Sequence, residues 1–401
     1  MQNNSFRIVI LFNGDLEDRK GFLNAVLARI KYLKRYLPEN IECDVMCVSE
    51  GYGCIARRIK HKEKSDHLTE YTIDGIRIQI IWRRFSLIDY LLRIKLHSVP
   101  ILTEFQNTRL SKKMKGYDLI SAHSFLAADV AYKTLKKYSV PYCITWHGSD
   151  IHSAPFVNKY IYARTKTLIE NAKINFFVSH ALLDKSMEIT NDGCKELLYN
   201  GISPKFCKYG KEDKRKLRER FSIPNDVKII AFVGSLVAIK NAALLPDIFS
   251  RISNQLRGKL VFWIIGDGKL RSPIEQRLLA LGVNDQVCMF GNVSHDEMPD
   301  MMNCIDLLVL PSVNEGLPLV TIEALRCGAM VIGSDVGGIP EAIGKDNVVP
   351  LGEDFVERFA QRCVSALEGQ YAFFANEELD WDLTAKKEIK QYESILQKDE
   401  N

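Results

Sequence analysis

Short runs of aliphatic and β-branched residues alternate along most of this chain with stretches whose apolar residues recur three and four positions apart. The first spacing predicts strands and the second amphipathic helices. In the first half the pattern predicts strands over 7–12, 41–48, 76–82, 118–123, 142–146 and 174–178. Helices are predicted over 21–36, 86–110, 126–137, 157–171 and 181–189. In the second half strands fall at 228–233, 260–265, 286–290, 307–310 and 330–333. Helices follow near 242–254, 269–281, 296–302 and 319–326. Strands that are apolar almost throughout and separated by helices belong to parallel sheets covered on both faces. Two successive Rossmann-like α/β units are therefore expected. Turn residues cluster at Asn200-Gly201-Ile202-Ser203-Pro204, and a highly charged stretch, 211–220, follows as a solvated helix. We place the domains at 1–203 and 204–382, with a terminal helix from about 383 that packs back on the first domain.

At 401 residues the chain is long enough for two full cores. Its 46% hydrophobic and 26% charged residues are ordinary for a soluble protein, and the apolar runs are too short to span a membrane. The run 8–12 is too short for a signal peptide, so a cytoplasmic location is expected. The ten cysteines are scattered without zinc spacing, and Cys143, Cys288, Cys304 and Cys363 read as reduced core residues. The net charge of +4 is uneven: the first 200 residues hold the basic excess, in 57–62, Arg83-Arg84, Arg93/Lys95 and Lys112-Lys113-Met114-Lys115. Solvated loops and contact with an anionic membrane surface or an anionic acceptor are both compatible with it. Nucleic acid is not expected, because no recognition motif accompanies the charge. The segment 87–96 reads either as a core-facing helix or as one lying in a membrane interface.

The most informative run is Pro311-Ser312-Val313-Asn314-Glu315-Gly316-Leu317-Pro318-Leu319-Val320-Thr321-Ile322-Glu323-Ala324. An apolar strand feeds a polar loop, which feeds a helix expected to start at the Gly-Leu-Pro step, with Glu323 two turns inside. The free N–H groups of such a start attract an anion, typically a phosphate. Glu315 and Glu323 would then flank it and hold hydroxyls on either side, the layout of a nucleotide sugar; two solvated glutamates are the plain alternative. After the strand ending at Val233, Gly234 permits a tight turn and Lys240 is expected to open a helix, where its ammonium can sit on a diphosphate. Gly266-Asp267-Gly268 and Gly291-Asn292-Val293-Ser294 follow two further strands, as ligand-facing or ordinary turns. In the first half, Thr145-Trp146-His147-Gly148-Ser149-Asp150 follows a strand. His147 can hydrogen-bond a sugar hydroxyl there, and Asp150 can cap the next element. His123 ends another strand, as a cleft-lining or a core histidine, and Ser179 before His180 reads as an N-cap. Asp380-Trp381-Asp382 has the letters of a metal-binding Asp-x-Asp but lies before the terminal helix, so a metal-independent site is expected.

The run Glu315-x7-Glu323, with Gly328 and Ser334-Asp335-Val336-Gly337-Gly338-Ile339-Pro340-Glu341 behind it, resembles the donor-site signature of glycosyltransferase family 4. The resemblance covers most of residues 200–350. It implies a GT-B fold, two Rossmann-like doubly wound parallel-sheet domains facing each other across a cleft. It also implies transfer of a sugar, with retention, from a UDP- or GDP-linked donor to a hydroxyl of a saccharide or lipid-linked saccharide. Bacterial surface-polysaccharide synthesis at the inner face of the cytoplasmic membrane is the implied setting. The implied catalytic residues are Glu315, His147 and Lys240. Donor binding would fall to Glu323, to Gly316, Leu317, Pro318, Leu319 and Val320 at the helix start, and to Gly234, Ser235, Gly266, Asp267 and Val293. Gly14, Gly21, His123 and Asp150 would lie on the acceptor side. Two departures stand out. Ser235 occupies the family's usual arginine position, and Asn241 that of the glycine after Lys240. The first loop carries Gly14 and Gly21 apart, separated by the charged run 15–20, instead of a tight glycine pair. An epimerase on the same fold and a non-catalytic nucleotide-sugar binder are the competing readings.

Overall fold

The computed structural model describes residues 5–14, 16, 21–51, 69–256 and 259–398. The basic cluster 57–62 and all but Leu16 of the charged run 15–20 lie outside the described residues. The chain divides into two compact units, 1–201 with 378–401, and 202–377.

The first unit holds an eight-stranded sheet. Its strands are β1 (Phe6–Asn13), β2 (Ile41–Gly51), β3 (Glu70–Ile73), β4 (Ile76–Arg84), β5 (Leu119–His123), β6 (Tyr142–Trp146), β7 (Ile174–Phe177) and β8 (Lys195–Leu197). Its main helices are α1 (Gly21–Tyr36), α2 (Leu87–Lys95), α3 (Ile101–Leu110), α4 (Phe125–Tyr138), α5 (Lys159–Asn171) and α6 (His180–Met187). The strand order is β3-β4-β2-β1-β5-β6-β7-β8. After β1 the chain builds outward through β2 and β4, then returns to β5 on the other side of β1, so the order reverses between β1 and β5. The loops at the carboxyl ends of such neighbours diverge and leave room for a ligand.

Two expectations need correction here. The sheet is not wholly parallel, because β3 pairs antiparallel with β4 across the Asp74-Gly75 turn, both residues having positive φ. The helix expected over 86–110 is two helices. Pro100 has no N–H to bond the carbonyl four residues back and disfavours a helical residue before it. Accordingly α2 stops at Lys95, His97 turns with φ 48°, and Pro100 sits at the start of α3.

The second unit holds a six-stranded sheet of β9 (Lys228–Val233), β10 (Leu260–Ile265), β11 (Val287–Gly291), β12 (Leu307–Leu310), β13 (Met330–Ser334) and β14 (Val348–Val349). Around it run α7 (Lys211–Arg220), α8 (Leu245–Gln255), α9 (Arg271–Ala280), α10 (Met298–Cys304), α11 (Leu319–Cys327) and α12 (Phe355–Leu367). The order β11-β10-β9-β12-β13-β14 is parallel throughout and reverses between β9 and β12. Asp306 fixes that junction by accepting the Ile229 N–H at 2.9 Å. Cys143, Cys304 and Cys363 are buried as expected, but Cys288 is exposed, since β11 is an edge strand with only one covered face.

The chain then returns to the first unit as α13 (Trp381–Lys398). Trp381 stacks on Tyr32 with ring centroids 6.1 Å apart. Ile389, Tyr392 and Ile395 join the core formed by β1 and α1.

Candidate active site

In the second unit the expected donor residues gather at the β9/β12 reversal. Because β12 lies beside β9, the loop after β12 meets the loop after β9. The Val313 N–H donates to the Ile239 carbonyl at 2.9 Å, locking the two loops together. The Lys240 ammonium donates to Glu315 Oε1 at 2.5 Å, and the Ser312 hydroxyl donates to the same oxygen at 2.7 Å. Glu315 is thus oriented by both loops, its side chain only 10% exposed against 25% for Lys240. Lys240 does not open a helix: it ends the 3-10 turn Ala238–Lys240, after which Asn241 takes a left-handed conformation, φ 54°. That turn aims the ammonium back at the loop after β12.

The helix behind this loop starts later than expected. Pro318 is its N-terminal boundary, no side chain caps it, and Leu319 and Val320 form its first turn. Gly316 and Leu317 precede it, and Glu323 lies one turn inside, not two. This first turn directly follows the loop that carries Glu315, and free N–H groups at a helix start favour an anion. Glu323 Oε1 lies 3.7 Å from His295 Nε2, and the His295 ring meets Phe206 edge-on at 5.4 Å.

The Ser334–Glu341 segment braces the loop from behind. The Ser334 hydroxyl donates to the Ser312 carbonyl. Gly337 has φ 52° and packs so tightly that a Cβ there would lie 2.0 Å from the Glu315 carbonyl oxygen. Gly338 N–H donates to that same carbonyl at 3.2 Å. The Gly-Gly of the motif therefore serves the backbone of Glu315.

The turns after β9, β10 and β11 are bonded to one another. Gly234 N–H donates to the Ile265 carbonyl at 2.9 Å, Leu236 N–H to the Asp267 carbonyl at 3.0 Å, and Gly266 N–H to the Gly291 carbonyl at 2.7 Å. A Cβ on Gly266 (φ 128°) would lie 2.1 Å from the Gly234 carbonyl oxygen. Ser235 and Val293 are partly exposed on these turns. Arg271 sits beside them at the head of α9, 3.3 Å from Asp267, with an Nη1 3.7 Å from where a Gly291 Cβ would be.

The residues expected on the acceptor side gather in the first unit at the ends of β1, β5 and β6. The register that sets His123 opposite Thr145 brings His123 Nδ1 within 3.1 Å of His147 Nε2. Phe22, next to Gly21 at the start of α1, meets the His147 ring edge-on at 5.0 Å. Gly14 follows β1, and its carbonyl accepts from the Ser49 hydroxyl at 3.3 Å. His123 is fully buried, so it lines no surface. Burial, with Arg29 nearby, pushes the His147 imidazole down to about 3, and burial plus its neighbours His147 and Arg29 hold His123 well below the usual histidine range. Both rings are neutral near pH 7, so one donates and the other accepts in their shared bond. Loss of water around Asp150 pushes its carboxyl up to about 6, against the lowering effect of backbone N–H groups such as that of Gly148 at 3.0 Å. Ser179 is the N-cap expected of it, accepting from the Leu182 N–H at 3.2 Å. Asp380 and Asp382 act structurally: Asp380 caps Leu383 N–H at 2.9 Å, and Asp382 lies 3.4 Å from Arg35. Among the described residues no cluster of three His, Cys, Asp or Glu side chains is placed to hold a metal.

Sequence reasoning missed Ser312, His295 and Arg271. Ser312 stood inside the motif run and His295 one residue beyond the Gly291–Ser294 turn. Only spatial neighbours gave Arg271 away.

Residues 213–378 match the family model of the glycosyl transferases group 1, and this segment is a domain of that family. The chain is 30% identical over 229 residues to TuaC of Bacillus subtilis, named as a teichuronic acid biosynthesis glycosyltransferase, covering 57% of this chain and 56% of the relative. It is 30% identical over 203 residues to the N-acetyl-alpha-D-glucosaminyl L-malate synthase of Bacillus anthracis, covering 50% and 51%. The chain thus spans about half the length of these relatives. Among solved structures it resembles Anabaena Alr3699/HepE, crystallised with UDP and glucose, with TM-score 0.67, 18% identity and 97% of each chain covered. The fold is GT-B.

Proposed function

We propose that this protein is a glycosyltransferase that moves a hexosyl group from a UDP- or GDP-linked donor to a hydroxyl of a saccharide or lipid-linked saccharide, with retention of anomeric configuration, in bacterial surface-polysaccharide synthesis on the cytoplasmic side of the membrane. The observation that carries the reading is the Lys240–Glu315 pair beside an uncapped helix start, at the strand-order reversal of a glycosyl transferases group 1 domain. The relatives' names support sugar transfer, and the UDP held by the Anabaena protein supports the donor class.

In this reading the departing diphosphate meets the helix start and Lys240, which supply positive potential without a metal ion. Glu315, oriented through Oε1, holds sugar hydroxyls, and Glu323 holds the ribose. Arg271 stands in for the cation that Ser235 does not supply. His147 is the acceptor-side group assigned to a sugar hydroxyl, as a neutral imidazole. No residue is assigned as covalent nucleophile, so the acceptor attacks on the face the leaving phosphate departs from, its proton passing to that phosphate. A trapped glycosyl-enzyme adduct would overturn this step.

The test is a thermal-shift screen with UDP, GDP, ADP and their sugar conjugates on wild type and Glu323→Ala. A nucleotide-specific rise that weakens in the variant is expected. A folded wild type that no nucleotide shifts would remove the donor-site reading. Donor turnover to an epimer without acceptor would favour an epimerase.

A further inference from the structure

The α2–α3 segment of the first unit is built inside out. On α2, Leu87, Leu91 and Ile94 recur at helical spacing on one face with Ile88 beside them, and all four are exposed, Ile88 to 66%. The opposite face carries Asp89, which is 3% exposed and accepts the Leu102 N–H at 3.2 Å and the Thr103 N–H, capping α3. On α3, Ile101, Leu102 and Phe105 are exposed, Phe105 to 69%, while Asn107 is fully buried and donates to Asp129 at 2.5 Å. Leu96 and Val99 in the link between the helices are exposed as well. The polar groups of both helices are thus spent inward, on capping and on the Asn107–Asp129 bond, and the large apolar side chains are left outward. Folding of a lone water-soluble unit rewards the reverse arrangement. A contiguous apolar surface of this kind marks an interaction site.

Charge selects what covers it. From Arg84 to Lys115 the exposed charged side chains are Arg84, Lys95, Arg109, Lys112, Lys113 and Lys115, all basic. The acids of the same segment face inward: Asp89 caps α3, and Glu104 pairs with Lys133 and Arg164. Asn158 donates to the Arg93 carbonyl at 2.6 Å, and so ties to α2 the short helical turn Ala154–Val157, whose Val157 is 73% exposed. Among the described residues no helix is long and apolar enough to cross a membrane.

We propose that the α2–α3 hairpin lies in the interface of an anionic lipid bilayer, its apolar face among the acyl chains and its Lys and Arg side chains at the headgroups. Each element suits that medium. The two short helices place Ile88, Leu91, Ile101 and Phe105 where burial in lipid is favourable, and the basic side chains are long enough to reach phosphate while their stems stay apolar. The proposal is independent of the sugar-transfer reading.

The test is co-sedimentation of the full chain with vesicles of phosphatidylcholine alone and of equal parts phosphatidylcholine and phosphatidylglycerol, at low and high salt. Sedimentation with the anionic vesicles at low salt, weakened by salt, is expected. The double variant Ile88→Ser, Phe105→Ser should lose about tenfold or more in vesicle affinity while its melting temperature is unchanged or higher, because both side chains are exposed. Lys112→Gln and Lys113→Gln should each cost about fivefold on anionic vesicles and nothing on neutral ones. Wild type that stays in the supernatant with both vesicle types would overturn the proposal. So would binding that survives the double substitution, or a dimer in solution that Phe105→Ser dissociates and vesicles do not compete away, which would assign the face to a second copy of this chain.

Discussion

Lys240 Nζ lies 2.5 Å from Glu315 Oε1 although 75 residues separate them in sequence, because their loops follow strands adjacent in space. The cation is paired with the carboxylate, and in the proposed function an incoming diphosphate has to compete for it. The two functions of the pair can be separated. Glu315→Gln should free Lys240 and tighten binding of UDP or GDP alone, by about fivefold for a pair that is partly exposed. The same change should lower kcat/KM for sugar transfer by about a hundredfold, because the oriented carboxylate is lost. Lys240→Ala should weaken nucleotide binding instead. Isothermal titration of the free nucleotide beside transfer kinetics distinguishes these effects, and Glu315→Gln weakening UDP and transfer equally would contradict them.

Gly337 should be as sensitive as Glu315 although it bears no functional group. Its φ of 52° costs a substituted residue about 1 kcal/mol, and a Cβ would sit 2.0 Å from the Glu315 carbonyl oxygen. Gly337→Ala must push the Glu315 loop aside. The expected result is a loss of about 2 kcal/mol in stability by denaturant titration and a weaker nucleotide-induced thermal shift. Gly282→Ala, also at positive φ (69°) but with open space around its Cβ, should cost stability without changing the nucleotide shift.

The strands were legible wherever an apolar run is bounded by turn residues. Residues 142–146, 228–233, 260–265 and 307–310 form strands over those same bounds. The motif run also showed that a helix follows the loop, although its start lies at Leu319 and not at the Gly316-Leu317-Pro318 step. What could not be read was anything set by strand order. That β9 lies beside β12, and not at an edge, is what makes Lys240 a partner of Glu315, and the β5–β6 register is what pairs His123 with His147. The 86–110 segment misled because periodicity reports that one face is apolar, not which face is buried. Only Asp89 and Asn107 turned inward reveal that this helix pair is inverted.

The histidine pair gives a pH signature. His147 is held at about 3 in the folded chain, below the ordinary value of 6.5, so between these values the unfolded state binds more protons. Stability from His147 is therefore present above about pH 6.5 and is lost as pH falls toward 3. Its share between about pH 7 and 5 is on the order of 1–2 kcal/mol. Asp150 works the other way: raised to about 6 from 3.8, it favours the folded state at low pH, and that contribution is lost as pH rises through 6. In denaturant titrations at pH 5 and 7, His147→Gln should flatten the dependence and Asp150→Asn should steepen it. Transfer activity should show no loss attributable to His147 protonation down to about pH 5.

The buried pair that fastens the terminal helix makes the strongest stability prediction. Arg29 on α1 donates from Nε to Glu388 Oε2 on α13 at 2.6 Å, and both side chains are fully buried although 359 residues separate them. Tyr392 donates to the other Glu388 oxygen and lies 2.8 Å from the Ser121 hydroxyl, so the carboxylate also links α13 to β5. Removing one charge strands the other in an apolar core, which costs about 3–5 kcal/mol. Removing both with apolar residues of similar size costs much less, because the attraction of a buried pair mainly repays the loss of water around its charges. Arg29→Met should therefore lower the urea midpoint sharply, and Arg29→Met with Glu388→Leu should restore most of it. Because Arg29 also helps hold His147 neutral, the double variant should raise the His147 titration, followed by NMR of its ring protons, even where stability has recovered. A double variant no more stable than Arg29→Met would mean that the helix depends on the ion pair itself and not on the hydrophobic contacts of Trp381, Ile389 and Ile395 around it.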